Sequence, residues 1–157
     1  MKLPKLVKDF WEKFCLANPE VKKDEDYQVW NFGDSHKLAD ELYKLVLEGK
    51  KTATASLVWE NEDDPTNAPI LNGYSIVTDF DGNPKCVIKT TEIKIKPFNE
   101  VDELFAAKEG EGDLSLRYWK EAHLKYFTRK CQELGKQPSE MMLVVCEEFK
   151  LLYPKPK

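Results

Sequence analysis

The chain has 157 residues, of which 41% are hydrophobic and 33% are charged, and its formal net charge is −4. This composition suits one compact domain over residues 1–157 and argues against intrinsic disorder. A net negative charge gives no general attraction to a phosphate backbone, so any nucleic-acid contact would have to use a local basic patch. The net negative charge therefore favours a small-molecule pocket over broad RNA binding.

The cysteines are scattered singly, with no CxxC pair and no histidine at zinc-finger spacing. We therefore expect four free, buried thiols and neither a metal nor a cofactor; the residues are Cys15, Cys86, Cys131 and Cys146. The sequence shows no secretory signal and no apolar stretch long enough to span a bilayer, so we expect a cytoplasmic protein without a membrane partner.

The predicted elements begin with an amphipathic helix over residues 3–18, in which apolar side chains recur at intervals of three and four. A charged linker follows over residues 22–26. A second helix then begins after Asp34 or Ser35, either of which is a suitable N-cap, and ends at Gly49.

The central part of the chain predicts strands and turns. Residues 51–59 alternate with period two and predict a strand, whereas residues 61–73 are polar and predict a long loop. Residues 74–80 and 86–95 predict two strands, and the Asp-Gly-Asn sequence at residues 81–83 joins them as a hairpin.

The last part of the chain predicts a short helix over residues 101–108 and then a long helix, capped by Asp113, that ends near Leu134. A final strand follows over residues 141–152. Helices interspersed with mainly antiparallel strands indicate an α+β fold built on a small barrel, not a doubly wound sheet.

The first candidate site is the segment Gly49-Lys50-Lys51-Thr52-Ala53-Thr54, at the junction of a helix and a strand. A lysine beside hydroxyl groups can bind an anion, activate water, or deprotonate a hydroxyl if desolvation lowers the lysine pKa. The same residues also suit a helix-ending glycine followed by solvated lysines, and the spacing alone favours this structural interpretation.

The second candidate is Glu109-Gly110-Glu111-Gly112-Asp113, which precedes the long helix. Glycines on both sides place the Glu111 carboxylate on a pliable loop, where it can serve as a general acid or base or accept hydrogen bonds from an amino group. A solvated loop carboxylate is the structural alternative. In the long helix, Ser115, Trp119, His123 and Phe127 form one stripe, which predicts a core face with a hydrogen-bonded core histidine.

These segments together resemble the ASCH superfamily, over residues 31–153. The matching segments occur in the expected order: residues 32–34, 49–56, 59–60, 81–84 and 109–113, followed by the stripe from Ser115 to Phe127. The resemblance implies a PUA-like, mixed but mainly antiparallel β-barrel whose flanking helices close a cleft, with the N-terminal helix packed outside the shared core. It also implies a nucleoside or an RNA element as ligand.

Some small members of the superfamily are amidohydrolases that remove the acetyl group of 4-acetylcytidine, and their catalytic positions fall here on Lys51, Thr54 and Glu111. The resemblance implies that Lys51 accepts the proton of Thr54, whose hydroxyl attacks the amide carbonyl, while Glu111 positions the base amine or protonates the departing nitrogen. Because residues three apart on a strand face opposite sides, this arrangement requires Lys51 to lie in the turn or beside a bulge.

Three functions stay open: an amide hydrolase acting on a modified nucleoside, a non-catalytic RNA-binding module, and a metal-independent ribonuclease. Hydrolysis is preferred because the lysine, threonine and glutamate all match, whereas a ribonuclease would have only His123 available. In the binding-module interpretation, Lys50 and Lys51 meet phosphate and an aromatic side chain stacks on a base. The predicted ligand-binding residues are Lys50, Thr52, Trp59 and Ser115, with Trp30 as a second stacking candidate.

Overall fold

The computed structural model describes residues 2–156. Its helices are α1 (Lys2–Ala17), α2 (His36–Leu47), α3 (Val58–Asp63), α4 (Glu103–Glu109) and α5 (Leu116–Leu134). Its strands are β1 (Tyr27–Asn31), β2 (Ala53–Leu57), β3 (Tyr74–Thr78), β4 (Pro84–Pro97) and β5 (Leu143–Tyr153). None of these helices carries an apolar stretch long enough to cross a membrane.

The strands form one curled sheet, with the order β1-β3-β4-β5-β2. Only the β1–β3 pair is parallel; the other three pairs are antiparallel. The register of β4 on β5 shifts between Val87 and Ile88 and again between Thr90 and Glu92, and such irregularities bend a strand and increase its twist. The long strands therefore curl into a half-barrel, and the predicted α+β fold with a mixed, mainly antiparallel sheet is confirmed.

The apolar core has three parts. Helix α1 covers one end of the sheet with an aromatic cluster, which consists of Trp11, Phe14, Tyr27, Tyr74 and Tyr153. Helix α2 packs Leu42 and Val46 against the middle of the sheet. Helices α4 and α5 pack on β2 and β5 at the other end, through Phe105, Trp119, Phe127 and their neighbours. All four cysteines are buried free thiols.

The predicted strand over residues 51–59 is too long. Strand β2 ends at Leu57, because the Glu60 carboxylate accepts a hydrogen bond from the Leu57 backbone N–H (3.0 Å) and begins α3 there. Trp59 therefore lies on a helix, and the predicted loop over residues 61–73 starts inside α3 and also contains a short 3₁₀ turn.

The prediction that Asp113 caps the long helix is also wrong. The Ser115 hydroxyl oxygen caps α5, accepting a hydrogen bond from the Tyr118 backbone N–H (3.0 Å), whereas Asp113 accepts one from the Ser115 backbone N–H. At the second helix, Ser35 is the N-cap of the two candidates. Strand β1 was not predicted, because its parallel pairing with β3 joins segments far apart in the sequence.

Candidate functional site

A cleft of about 570 Å³ opens inside the curl of the sheet, a volume typical of sites for small molecules. Strands β1, β2 and β5 and helices α2, α3 and α5 contribute to its walls, together with the segment that joins α4 to α5. The predicted residues Lys51, Thr54 and Glu111 all line this cleft, as does His123.

Lys51 lies two residues before the start of β2, in the turn that follows α2. Its backbone N–H donates to the Leu45 carbonyl of α2, and this bond holds the turn in place (3.1 Å). Because Lys51 is not part of the regular strand, its side chain lines the same cleft as Thr54. The requirement that Lys51 lie in the turn is therefore met.

The Lys51 side chain is only 1% exposed, and its ammonium group donates to two carboxylates. Lys51 Nζ lies 2.8 Å from Glu109 Oε1 and 3.0 Å from Glu111 Oε2. It also lies 5.3 Å from the centroid of the Phe32 ring, close enough for a cation–π contact. A buried ammonium is tolerated here because two carboxylates accept hydrogen bonds from it.

Gly110 explains how the two acids reach this lysine. Its φ is +72°, and a Cβ at this position would lie 2.2 Å from the Lys50 carbonyl oxygen. Only glycine allows the end of α4 to approach the Lys50–Lys51 backbone so closely. Gly112, with φ +59°, similarly leaves room for the Tyr118 ring. The loop that carries Glu111 is therefore held by Gly110 against the Lys50 backbone and by Gly112 against the Tyr118 ring.

Glu109 and His123 complete a charged cluster, defined here as Lys51, Glu109, Glu111 and His123. Glu109 Oε2 lies 3.0 Å from His123 Nε2 and also accepts the Trp119 indole N–H. His123 Nδ1 lies 2.9 Å from the Trp119 carbonyl oxygen. Because acceptor oxygens face both ring nitrogens, the geometry favours a doubly protonated imidazolium.

The pKa shifts follow from this arrangement. Burial alone would lower the pKa of Lys51, but the attraction of Glu109 and Glu111 outweighs burial and raises it. Burial would likewise lower the pKa of His123, and Glu109 raises it. Burial opposes ionisation of Glu109, but Lys51 and His123 together hold its pKa far below the usual range.

Glu111 differs from Glu109 in its exposure and in the direction of its pKa shift. Its side chain is 18% exposed, against 2% for Glu109. Burial raises the pKa of Glu111 more than Lys51 lowers it, and the nearby charge of Glu109 raises it further. Glu111 is therefore the carboxylate of the cluster best suited to exchange a proton with a ligand in the cleft.

Three members of the cluster also offer a set of metal-ligating atoms. Oxygens of Glu109 and Glu111 and a nitrogen of His123 lie within 4.8 Å of one another. The Lys51 ammonium group already binds both carboxylates, so a divalent ion would have to displace it from them. The present arrangement is that of an internal ion network.

The comparisons with known proteins identify the family. The family model for the ASCH domain matches residues 28–153, which is most of the chain. The chain belongs to the ASCH domain family. The solved ASCH domain from Lactobacillus crispatus JV V101 is 35% identical, with 95% of each chain covered and a TM-score of 0.87. Among proteins with curated descriptions, none matches this ASCH domain.

Two further structures are similar to this ASCH domain. Protein EF3133 from Enterococcus faecalis V583 is 33% identical, with a TM-score of 0.81, and the match covers 94% of this chain and 88% of that one. Hypothetical protein PH0355 is 13% identical, with a TM-score of 0.52 over 80% of this chain and 99% of that one, and therefore shares only the fold. The half-barrel is thus the PUA-like fold that the sequence predicted.

The four predicted ligand-binding residues do not line the cleft of this ASCH domain. Lys50 points to solvent and pairs with Glu48, while Thr52 is exposed and donates to the Lys108 carbonyl. Trp59 lies on α3 and packs, partly buried, against the core cluster that contains Phe127 and Cys131 of α5. Ser115 is occupied as the N-cap of α5.

Several residues of the cleft were not predicted. Glu109 ends α4, and a glutamate at a helix end is ordinarily exposed. Its position before Gly110 is the one sequence signal that could have indicated its burial. Glu147 lies on β5 and faces the cleft, directly opposite Thr54 in the strand register. Aromatic side chains contribute as well: Trp30, which was predicted, and Phe32, Tyr118 and Tyr126, which were not.

Proposed function

We propose that this ASCH domain binds a nucleoside-like ligand in the cleft and hydrolyses an amide on the exocyclic nitrogen of its base. The observation that carries the proposal is the buried Lys51–Glu109–Glu111 contact, which opens onto a cleft that Thr54 also lines. A buried ion network in the wall of a cleft can cost stability, and such arrangements are typical of reactive sites.

The charge of the cleft supports an uncharged ligand over a polyanion. Seven carboxylates line the cleft, against four cationic side chains when the His123 imidazolium is included. The carboxylates are Glu60, Asp63, Asp64, Glu109, Glu111, Glu133 and Glu147, and the cations are Lys51, His123, Arg129 and Lys130. Phosphate groups would be repelled here, whereas the N–H groups of a base would find acceptors. This argues against cleavage of an RNA backbone in this cleft.

The raised pKa of Lys51 changes the role expected for it. A lysine held as ammonium by two carboxylates is a poor proton acceptor at neutral pH. We assign it to stabilising the negative charge that develops on the carbonyl oxygen. Glu111, with its raised pKa and its partial exposure to the cleft, takes the role of general acid and base.

The reaction then balances in two stages. Thr54 Oγ bonds to the carbonyl carbon as its proton passes to Glu111, and the carbon–nitrogen bond breaks as that proton moves to the departing base amine. Water then attacks the resulting ester with Glu111 as the base, releasing the carboxylic acid and restoring the Thr54 hydroxyl. Glu109 and His123 hold Lys51 in position throughout.

Binding of an unpaired base without chemistry is the second candidate function. The partly exposed aromatic side chains of the cleft favour it, because every base can stack on an aromatic ring; they are Trp30, Tyr118 and Tyr126. This alternative predicts affinity for nucleosides or single-stranded RNA without turnover.

The test is release of cytidine and acetate from 4-acetylcytidine by the purified protein. Neighbouring residues supply matched controls. Thr54→Val should abolish turnover, whereas Thr52→Val, which alters an exposed hydroxyl, should leave it unchanged. Glu111→Gln should reduce turnover by about 100-fold or more, and Glu48→Gln should not.

Binding without turnover at high enzyme concentration would contradict the hydrolase and support the binding module. Equal activity in the Thr54→Val and Thr52→Val variants would remove Thr54 from the mechanism. Cleavage of RNA by the wild type, lost in a Lys51→Met variant, would support a ribonuclease instead.

A further inference from the structure

Glu147 is a buried acid that the proposed mechanism does not use. It lies on β5 directly opposite Thr54 of β2, and both residues line the cleft. Residues paired in this way on neighbouring antiparallel strands have Cβ atoms about 5 Å apart on the same face of the sheet. A ligand positioned for attack by Thr54 therefore lies within reach of the Glu147 carboxyl group.

The surroundings of Glu147 differ from those of the charged cluster. Its residue exposure is 6%, and Oε2 accepts a hydrogen bond from the Thr90 hydroxyl of β4 (2.6 Å). Within the described part of the chain, no side chain makes an ion pair with Glu147. Burial raises its pKa, although the Thr90 hydrogen bond and the charge of Lys51 act in the opposite direction.

A carboxyl group in these surroundings has a defined hydrogen-bonding capacity. When it is protonated, one oxygen donates and the other accepts. Oε2 is held by Thr90, so Oε1 is the oxygen placed to donate. A protonated carboxyl group is complementary to a base edge that offers a ring-nitrogen acceptor beside an exocyclic N–H donor. The edge of 4-acylated cytosine has this arrangement.

We propose that Glu147 is the specificity-determining residue of the cleft, donating from Oε1 to the ring nitrogen beside the exocyclic amide and accepting from the amide N–H. The inference rests on the proposed function for the kind of ligand, but it assigns a recognition role that hydrolysis does not require. Thr90 is the positioning residue that holds the carboxyl group in the plane of the base.

The test compares binding of cytidine and 3-deazacytidine, in which a C–H group replaces the ring-nitrogen acceptor. The wild type should bind cytidine about tenfold more tightly, the value of one net hydrogen bond in a dry site. Glu147→Gln should keep this preference, because a neutral amide also donates and accepts. Glu147→Leu, of similar volume and without polar atoms, should bind both nucleosides equally.

Glu148 supplies the control. It is the next residue on β5, lies on the opposite face of the sheet and pairs with Lys108 (2.9 Å), so Glu148→Leu should keep the preference for cytidine. Thermal unfolding of each variant shows whether the fold is retained.

The outcomes separate the two proposals. If the preference for cytidine is lost only in Glu147→Leu but the wild type releases no acetate from 4-acetylcytidine, the hydrolase is wrong and the role of Glu147 stands. If acetate is released but Glu147→Leu still prefers cytidine, the role of Glu147 is wrong and the hydrolase stands. Loss of the preference in Glu147→Gln would show that recognition needs a negative charge, and would also overturn the inference.

Discussion

The two ends of the sheet are closed by clusters of opposite chemistry. Beneath α1, the aromatic cluster packs Trp11 on Tyr27 with ring centroids 4.4 Å apart, and Phe14 is fully buried. Beside β2, the charged cluster buries Lys51 and Glu109 almost as completely. Burial of apolar surface stabilises a fold directly, whereas burial of ions regains little more than it costs in desolvation. The aromatic cluster is therefore accounted for by stability alone, whereas burial of the charged cluster is not, and the proposed reactive site supplies a reason for it.

The largest effect is expected for Lys51→Met, which leaves Glu111 without its cation and Glu109 with His123 as its remaining charged partner. The free energy of unfolding should fall by about 3–5 kcal/mol, and activity should be lost. Urea denaturation and the 4-acetylcytidine assay measure the two effects. Lys50→Met is the control and should change neither, since Lys50 is exposed. A Lys51→Met protein of wild-type stability would show that the cluster contributes nothing to the fold.

Phe14→Ala should also lower the free energy of unfolding by about 3–5 kcal/mol, because it leaves a cavity among Trp11, Tyr74 and Tyr153. Ligand affinity of the folded protein should stay unchanged, since the aromatic cluster does not line the cleft. Calorimetric titration with cytidine checks this at a temperature where the variant is folded. A large loss of affinity would break the division between the two ends.

Gly110→Ala should lower stability by about 1–3 kcal/mol and reduce activity as well, because its Cβ would force the acid loop away from the Lys50 backbone. Gly135→Ala is the matched control: it has a similar φ (+67°), but open space surrounds the position. Its cost should be limited to the unfavourable backbone conformation, about 1 kcal/mol, without any effect on activity. Equal activity losses in the two variants would contradict the conclusion that close approach of Gly110 to the Lys50 backbone positions the acid loop.

The smallest effect concerns pH. Since the folded state raises the pKa of His123, its protonation stabilises the fold fully below the unfolded pKa of about 6.5 and progressively less as pH rises through the raised value. Wild type should therefore exceed His123→Gln in free energy of unfolding by more at about pH 6 than at about pH 8. A difference independent of pH would show that folding does not change the pKa of His123, and a larger difference at about pH 8 would show that folding lowers it.

The sequence predicted the elements whose signals are local. Three features with local signals lie where they were expected: the amphipathic helix α1, the hairpin between β3 and β4, and the glycine that follows α2. The predicted cap of α5 was wrong because Asp113 and Ser115 are both good caps, and only tertiary packing selects between them. The end of β2 was missed because Glu60 begins a new helix there.

The site was predicted only in part, for a similar reason. Lys51, Thr54 and Glu111 were found through resemblance, and the structure brings all three to one cleft. Glu109 and Glu147 were not found, because each occupies an ordinary position on a helix or strand and becomes distinctive only through burial. Their partners, Lys51 and Thr90, lie more than 50 residues away in the sequence. Such pairings depend on the fold and leave no local pattern.

The contact between Trp119 and His123 has an optical consequence. The indole and imidazole rings stack with centroids 4.2 Å apart and an interplanar angle of 15°. An imidazolium at this distance accepts an electron from an excited indole and quenches its fluorescence. A neutral imidazole quenches far less. In a variant that keeps Trp119 and replaces the other three tryptophans, fluorescence should therefore report the charge of His123 from inside the protein.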